Sequence, residues 1–208
     1  MQNFDRAYYT TWFCRVVQGE KCRAFAVESV AENMAVGQAN LAANGVVGVD
    51  WTRALVAKNW WAGWAAEKHL AEIDLLLVDI QGFEHTLIPE VCEEIRAGRL
   101  RVRYIIVGTH SQGKHTRTLD ALVNVAGLRV VASLDFADET FFFDGLVVAT
   151  SVAEADGGLP AVNLGSRKRT PLRSVDAVRD GTDADFPWPG RDWPCPLLLE
   201  KYEAVLSD

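Results

Sequence analysis

Short apolar, β-branched runs alternate with longer amphipathic stretches between Arg23 and Ser151, the pattern of strands and helices wound around a mostly parallel sheet. Residues 23–28 read as a strand, and 31–44 as a helix that stops at Asn44-Gly45, where glycine can take a left-handed cap. Residues 46–50 are expected to form a short second strand ending on Asp50. A helical stretch is expected over 52–70, its buried face blurred by Trp60, Trp61 and Trp64. The run 73–79 is continuously apolar and ends on a carboxylate, as strands buried on both faces do. Helix resumes near Glu84 and ends around 96–98; 103–108 is the next strand, and 114–125 its helix, stopped by Gly127. Residues 128–134 and 140–150 are joined by a connection too short for a helical crossover, so this pair is expected to be antiparallel.

Beyond Ser151 the periodicity lapses into Gly, Pro, Asp and Arg, with a Trp- and Pro-rich run over 186–194 and helical character only over 197–206. The expected organisation is one α/β domain over residues 1–150 and a partly irregular extension over 151–208 that packs on it as a tail. At 208 residues, with 49% hydrophobic and 24% charged residues, the chain can build a full core. A formal charge of −7 argues against nucleic acid and anionic membrane as partners, since both attract basic surfaces. The four cysteines, at 14, 22, 92 and 195, lack the paired spacing of a zinc site and read as reduced thiols. The N-terminus does not read as a signal peptide and no apolar run approaches a bilayer span, so the expected compartment is the cytoplasm.

Ligands of open α/β sheets bind outside the carboxyl ends of the strands, which directs attention to Glu28, Asp50, Asp79 and the residues after Gly108. Glu28 is placed to accept the two hydroxyls of a ribose; the alternative is a solvated strand end. Asp50 is placed either to hold an adenine amine or to cap the helix expected from Thr52. The segment Asp79-Ile80-Gln81-Gly82-Phe83-Glu84 is more specific. It sets two carboxylates, an amide and a glycine that allows close backbone approach within six residues. Its plainer reading, acidic residues complementing a helix N-terminus, accounts for Glu84 but poorly for Gln81. His110 supplies a candidate base that titrates near neutrality. The frame Thr109-His110-Ser111-Gln112-Gly113 superficially matches a hydrolase nucleophile elbow, but Thr109 stands where the first glycine is required. His110 and His115 with Asp79 fit no standard metal spacing, so no metal site is expected; His69 and His85 read as surface residues.

Three segments together resemble the FkbM family of S-adenosylmethionine-dependent methyltransferases, over about residues 8–150. Ala24-Phe25-Ala26-Val27-Glu28 with Asn40-Leu41-Ala42-Ala43-Asn44-Gly45-Val46 is similar to the family's second strand and the helix after it. The stretch from Ile73 to Glu84 is similar to its hallmark I-D-L-L-x-x-D-[IV]-[EQ]-G-x-E. Tyr104 to Ser111 resembles the I-G-T-H-S strand of one branch, with Phe143 to Ala149 as its last strand. The resemblance implies a Rossmann-like class I methyltransferase sheet, mostly parallel with an antiparallel C-terminal strand pair, and S-adenosylmethionine as cofactor. It implies Glu28 on the ribose, and Asp50, Asp79, Gln81 and Gly82 around the rest of the cofactor. Asp79 and His110 would be catalytic, and the acceptor a small hydroxylated molecule of sugar or polyketide type.

The sequence departs from the family at its start. Only Tyr8-Tyr9-Thr10 matches the family's residues just past the glycine-rich loop, and the first strand, normally central in the sheet, has no counterpart. The expected consequences are weak or absent cofactor binding and, for the strands beginning at Arg23 and Ile73, either direct pairing across the gap or unpaired backbone groups. The competing expectation is a binding or interaction protein that keeps the fold without the cofactor loop.

Overall fold

The structure is a computed structural model that describes residues 7–18, 22–80, 82–134 and 145–161. The chain forms two compact units, residues 1–56 and 57–208.

In the first unit, α1 (Tyr8–Trp12) runs into a π-helical turn over Phe13–Gln18. β1 (Phe25–Glu28), α2 (Ala31–Ala43) and β2 (Asp50–Arg53) come next. β1 and β2 are parallel, with Phe25 opposite Asp50 and Glu28 opposite Arg53. Cys14, Leu41 and Val46 form the core, flanked by Cys22, Ala24 and Trp51. Gly37 costs α2 about 1 kcal/mol of helix propensity, but a Cβ there would lie 2.7 Å from the Trp51 ring, so the glycine makes room for the indole.

This unit corrects two expectations. Cys14 and Cys22 are joined as a disulfide, eight residues apart, so they are not reduced thiols. The chain from Thr52 is not helical at first: β2 extends to Arg53, and helix α3 covers only Trp61–Glu67. Pairing of Trp51 and Thr52 with Ala26 and Val27 overrides the local helical pattern. A unit with so few buried side chains should lean on its cross-link. The double variant Cys14→Ser/Cys22→Ser is expected to lower the unit's stability by about 2–3 kcal/mol, the loop-closure value for a span this short, as read by denaturant titration.

In the second unit, α3 precedes β3 (Glu72–Val78), α4 (Glu84–Arg96) and β4 (Arg101–Gly108). α5 (Gln112–Asp120) continues as a π-helical turn over Ala121–Val125, and β5 (Arg129–Leu134) and β6 (Leu146–Thr150) complete the sheet. The strand order is β3-β4-β6-β5. β3 and β4 are parallel; β6 runs antiparallel to both β4 and β5, as expected of the terminal pair. Ile88, Val91 and Cys92 of α4 lie fully buried, as do Ile105 and Val107 of β4 and Val147 of β6. Each such aliphatic side chain contributes about 1.5–3 kcal/mol by leaving water. Burial pushes the Cys92 thiol up to about 12, so it stays protonated and unreactive at neutral pH. The tryptophan ambiguity resolves simply: Trp61 and Trp64 are buried on one face of α3, with Trp60 stacked on Trp64 at 4.9 Å. Glu90 of α4 accepts hydrogen bonds from the backbone N–H groups of Asn59 and Trp61 and anchors the start of that helix.

Among the described residues, β1 pairs only with β2 and β3 only with β4. The expected features at 186–194 and 197–206, and the first part of the strand expected over 140–150, lie outside the described residues. No helix among the described residues is long and apolar enough to cross a membrane.

Candidate active site

β3 and β4 lie side by side in parallel register, with Val78 opposite Val107, so the turns leaving their carboxyl ends meet. Asp79 follows β3 and His110 follows β4. The imidazole Nε2 donates to Asp79 Oδ1 at 2.8 Å and lies 3.2 Å from Glu84 Oε1. The His110 side chain is 9% exposed and that of Asp79 37%, whereas Glu84 is wholly buried. Asp79 is therefore the open face of the cluster and Glu84 its floor. Gly108 lies beneath the pair: a Cβ there would sit in ordinary contact, 3.4 Å from Asp79 Oδ1 and 3.6 Å from His110 Nε2.

Glu84 opens α4 and turns its carboxylate back over the preceding loop. Oε1 accepts from the Ile80 N–H at 2.8 Å and Oε2 from the Gly82 N–H at 2.9 Å. Gly82, at φ 106°, adopts a backbone that side chains disfavour. A buried carboxylate needs such donors, and a helix N-terminus is where negative charge is favoured. Lys114, half-buried on α5, has its pKa lowered by burial, an effect the Glu84 carboxylate opposes.

His110 is held by a tight turn. Its φ is 47°, the Ser111 N–H donates to the Thr109 carbonyl at 2.6 Å, and Ser111 Oγ then caps α5 by accepting from the Lys114 N–H at 3.3 Å. Ser111 is thus a capping residue, consistent with setting aside the hydrolase frame. Beneath it, buried Thr109 donates its N–H to the Gly145 carbonyl at 2.8 Å. Thr109 Oγ1 lies 2.9 Å from His115 Nδ1, and His115 Nε2 lies 2.9 Å from Ser133 Oγ. That network fixes the strand end from which His110 departs.

Of the residues expected to form the site, Asp79, Gly82 and His110 come together. Gln81 lies outside the described residues. Glu28, half-buried at the end of β1, accepts from the Val30 N–H at 2.8 Å and from the Ser29 hydroxyl at 3.4 Å. Asp50 is corrected in position: it opens β2 opposite Phe25, at the other end of the strand pair from Glu28, and caps no helix. The shift results from the pairing that carries β2 on to Arg53. His85 is half-buried rather than on the surface, its Nδ1 donating to the Gly82 carbonyl at 2.9 Å. Glu84 is the member to which sequence reasoning gave no role in the site, although the clustering of polar residues between 79 and 84 was the available signal for it.

The chain matches no protein-family model and no curated protein. Among solved structures it is similar to precorrin-6y C5,15-methyltransferase from Geobacter metallireducens GS-15, at 16% identity and a TM-score of 0.50, over 70% of this chain and 75% of that one. It is also similar to a SAM-dependent methyltransferase from Aquifex aeolicus, at 14% identity and a TM-score of 0.42, over 71% of this chain and 78% of that one. The first of these likenesses shows the fold alone: this chain has the Rossmann-like α/β fold found in methyltransferases.

Proposed function

We propose that the protein is an S-adenosylmethionine-dependent methyltransferase acting on oxygen of a small hydroxylated molecule, of the sugar or polyketide type that FkbM-like enzymes use. The observation that carries this reading is the convergence of Asp79, His110 and Glu84 at the carboxyl ends of adjacent parallel strands, the ligand-binding end of such a sheet. The resemblance assigns the ribose hydroxyls to Glu28, which ends β1, and the methionine moiety to Gln81 and Gly82. Asp50, at the opposite end of its strand pair, has no part in this reading. The acceptor oxygen attacks the sulfonium methyl in line, the carbon–sulfur bond breaks to leave the thioether, and the hydroxyl proton passes to the Asp79 carboxylate, which the His110 imidazole orients.

Loss of a positioned base costs about 10²–10⁴ in rate. Asp79→Ala is therefore expected to reduce transfer of labelled methyl to a panel of hydroxylated sugars and polyketides by at least about 100-fold, with the melting temperature moving by only a few degrees. Undiminished transfer, or a collapse in stability, removes Asp79 from the chemistry. The rival reading is a binding protein on the same fold that holds no cofactor. Calorimetric titration with S-adenosylhomocysteine separates the two. The enzyme reading requires measurable heat that Glu28→Gln weakens; silence at millimolar ligand favours the binding protein.

A further inference from the structure

We propose that Asp79 Oδ1, Glu84 Oε1 and His110 Nε2 form a site for one divalent transition-metal ion of the Mn²⁺, Fe²⁺ or Zn²⁺ kind. The three donor atoms all lie within 4.8 Å of one another. Nε2 stands 2.8 Å from the Asp79 oxygen and 3.2 Å from the Glu84 oxygen. Ligands bound at about 2.1 Å to one ion, at octahedral or tetrahedral angles, are about 3.0–3.4 Å apart. The two separations from Nε2 lie close to that range, and the carboxylates offer ligand atoms within 4.8 Å of each other. One imidazole and two carboxylates form a donor set suited to these metals, whereas magnesium favours oxygen alone.

Three further observations distinguish the cluster from a chance meeting of polar groups. The Glu84 carboxylate is wholly buried and oriented by the N–H groups of Ile80 and Gly82, the kind of outer-shell support that fixes a metal ligand. His110 is presented from a left-handed backbone, so the turn aims the ring at the carboxylates instead of following the strand. Two carboxylates sharing one imidazole leave a partly buried site short of positive charge. A dication meets that deficit directly. The spacing 79, 84, 110 matches no familiar metal motif because the ligands come from two successive strand-to-helix turns, which adjoin only when β3 and β4 pair.

The site stands independently of the methyl-transfer reading, since it requires neither cofactor nor acceptor. Should both hold, a bound ion beside Asp79 would polarise the acceptor hydroxyl.

The test is metal binding by the full chain without cofactor, using Mn²⁺ in calorimetry and Co²⁺ for its visible spectrum. The expected result is one ion per chain, with a cobalt spectrum that changes when the imidazole is lost. His110→Asn, chosen because asparagine tolerates the left-handed backbone, and Asp79→Asn should each weaken binding by at least about tenfold. Glu32→Gln, on exposed α2, should leave it unchanged. Circular dichroism identifies variants that fail to fold, and Asp79→Asn, at the open face, keeps the test available if His110→Asn does not fold. No binding at millimolar Mn²⁺ overturns the proposal, as does binding that His110→Asn and Asp79→Asn leave intact, which would mean ions held loosely by the acidic surface.

Discussion

Glu84→Ala is expected to destabilise the protein by about 3–5 kcal/mol, the range for removing one partner from a buried charged network. The wholly buried carboxylate satisfies the Ile80 and Gly82 N–H groups and lies against His110. Alanine leaves those two donors in a cavity without an acceptor, at about 1–3 kcal/mol for each unsatisfied group. Glu84→Gln separates shape from charge. Its amide oxygen can still accept one of the two bonds, so it should recover part of the loss while leaving the other N–H facing an NH₂ group. Urea titration of the three proteins measures the series. An alanine variant within about 1 kcal/mol of the parent, the net worth of one ordinary hydrogen bond, would mean that water substitutes for the carboxylate and that the floor of the site is wetter than its burial implies.

Gly145→Ala should cost about as much, 3–5 kcal/mol by roughly adding overpacking to the loss of a buried hydrogen bond. A Cβ at this position would run into Thr109 Oγ1 and lie 2.8 Å from His115 Nδ1. Both atoms belong to the buried Thr109–His115–Ser133 chain and cannot swing into solvent. The effect should reach the active site as well, because Thr109 immediately precedes His110. Removing the obstructing hydroxyl supplies a check: Gly145→Ala in a Thr109→Ala background should be less damaging than the sum of the two single changes, a coupling that denaturation of all four proteins would expose. Strict additivity would show that the clash is relieved elsewhere.

The parts of this fold legible in the sequence are those where local pattern and tertiary role agree. The apolar run ending at Asp79 is a strand because it pairs along its length with β4, although only Val78 is fully buried, and the Asn44-Gly45 stop ends α2 where a left-handed residue was needed. Residues 52–70 misled because Thr52 and Trp51 satisfy a strand through β1, a partner more than twenty residues away that no local window contains. The cross-link between Cys14 and Cys22 was hidden for the opposite reason. Its eight-residue spacing is unremarkable until a helical turn and the start of β1 are folded together. In the site, Asp79 and His110 announce themselves at strand ends, which is where chemistry concentrates in such sheets. Glu84 did not, since a glutamate at a helix start is ordinary; only its complete burial beside an imidazole sets it apart.

The left-handed backbone of His110 bears on how this protein could be improved as a material. A side chain at that conformation carries about 1–2 kcal/mol of steric cost that glycine would avoid. Yet selection for thermal tolerance would not favour His110→Gly, because glycine's own entropy on folding, about 0.5–1 kcal/mol, and the loss of the imidazole's contacts with Asp79 and Glu84 outweigh the relief. The same exchange would delete the imidazole that Asp79 and Glu84 converge on. The contacts that define the cluster therefore also hold the strained turn, and a thermostability screen would keep His110 without reference to any activity.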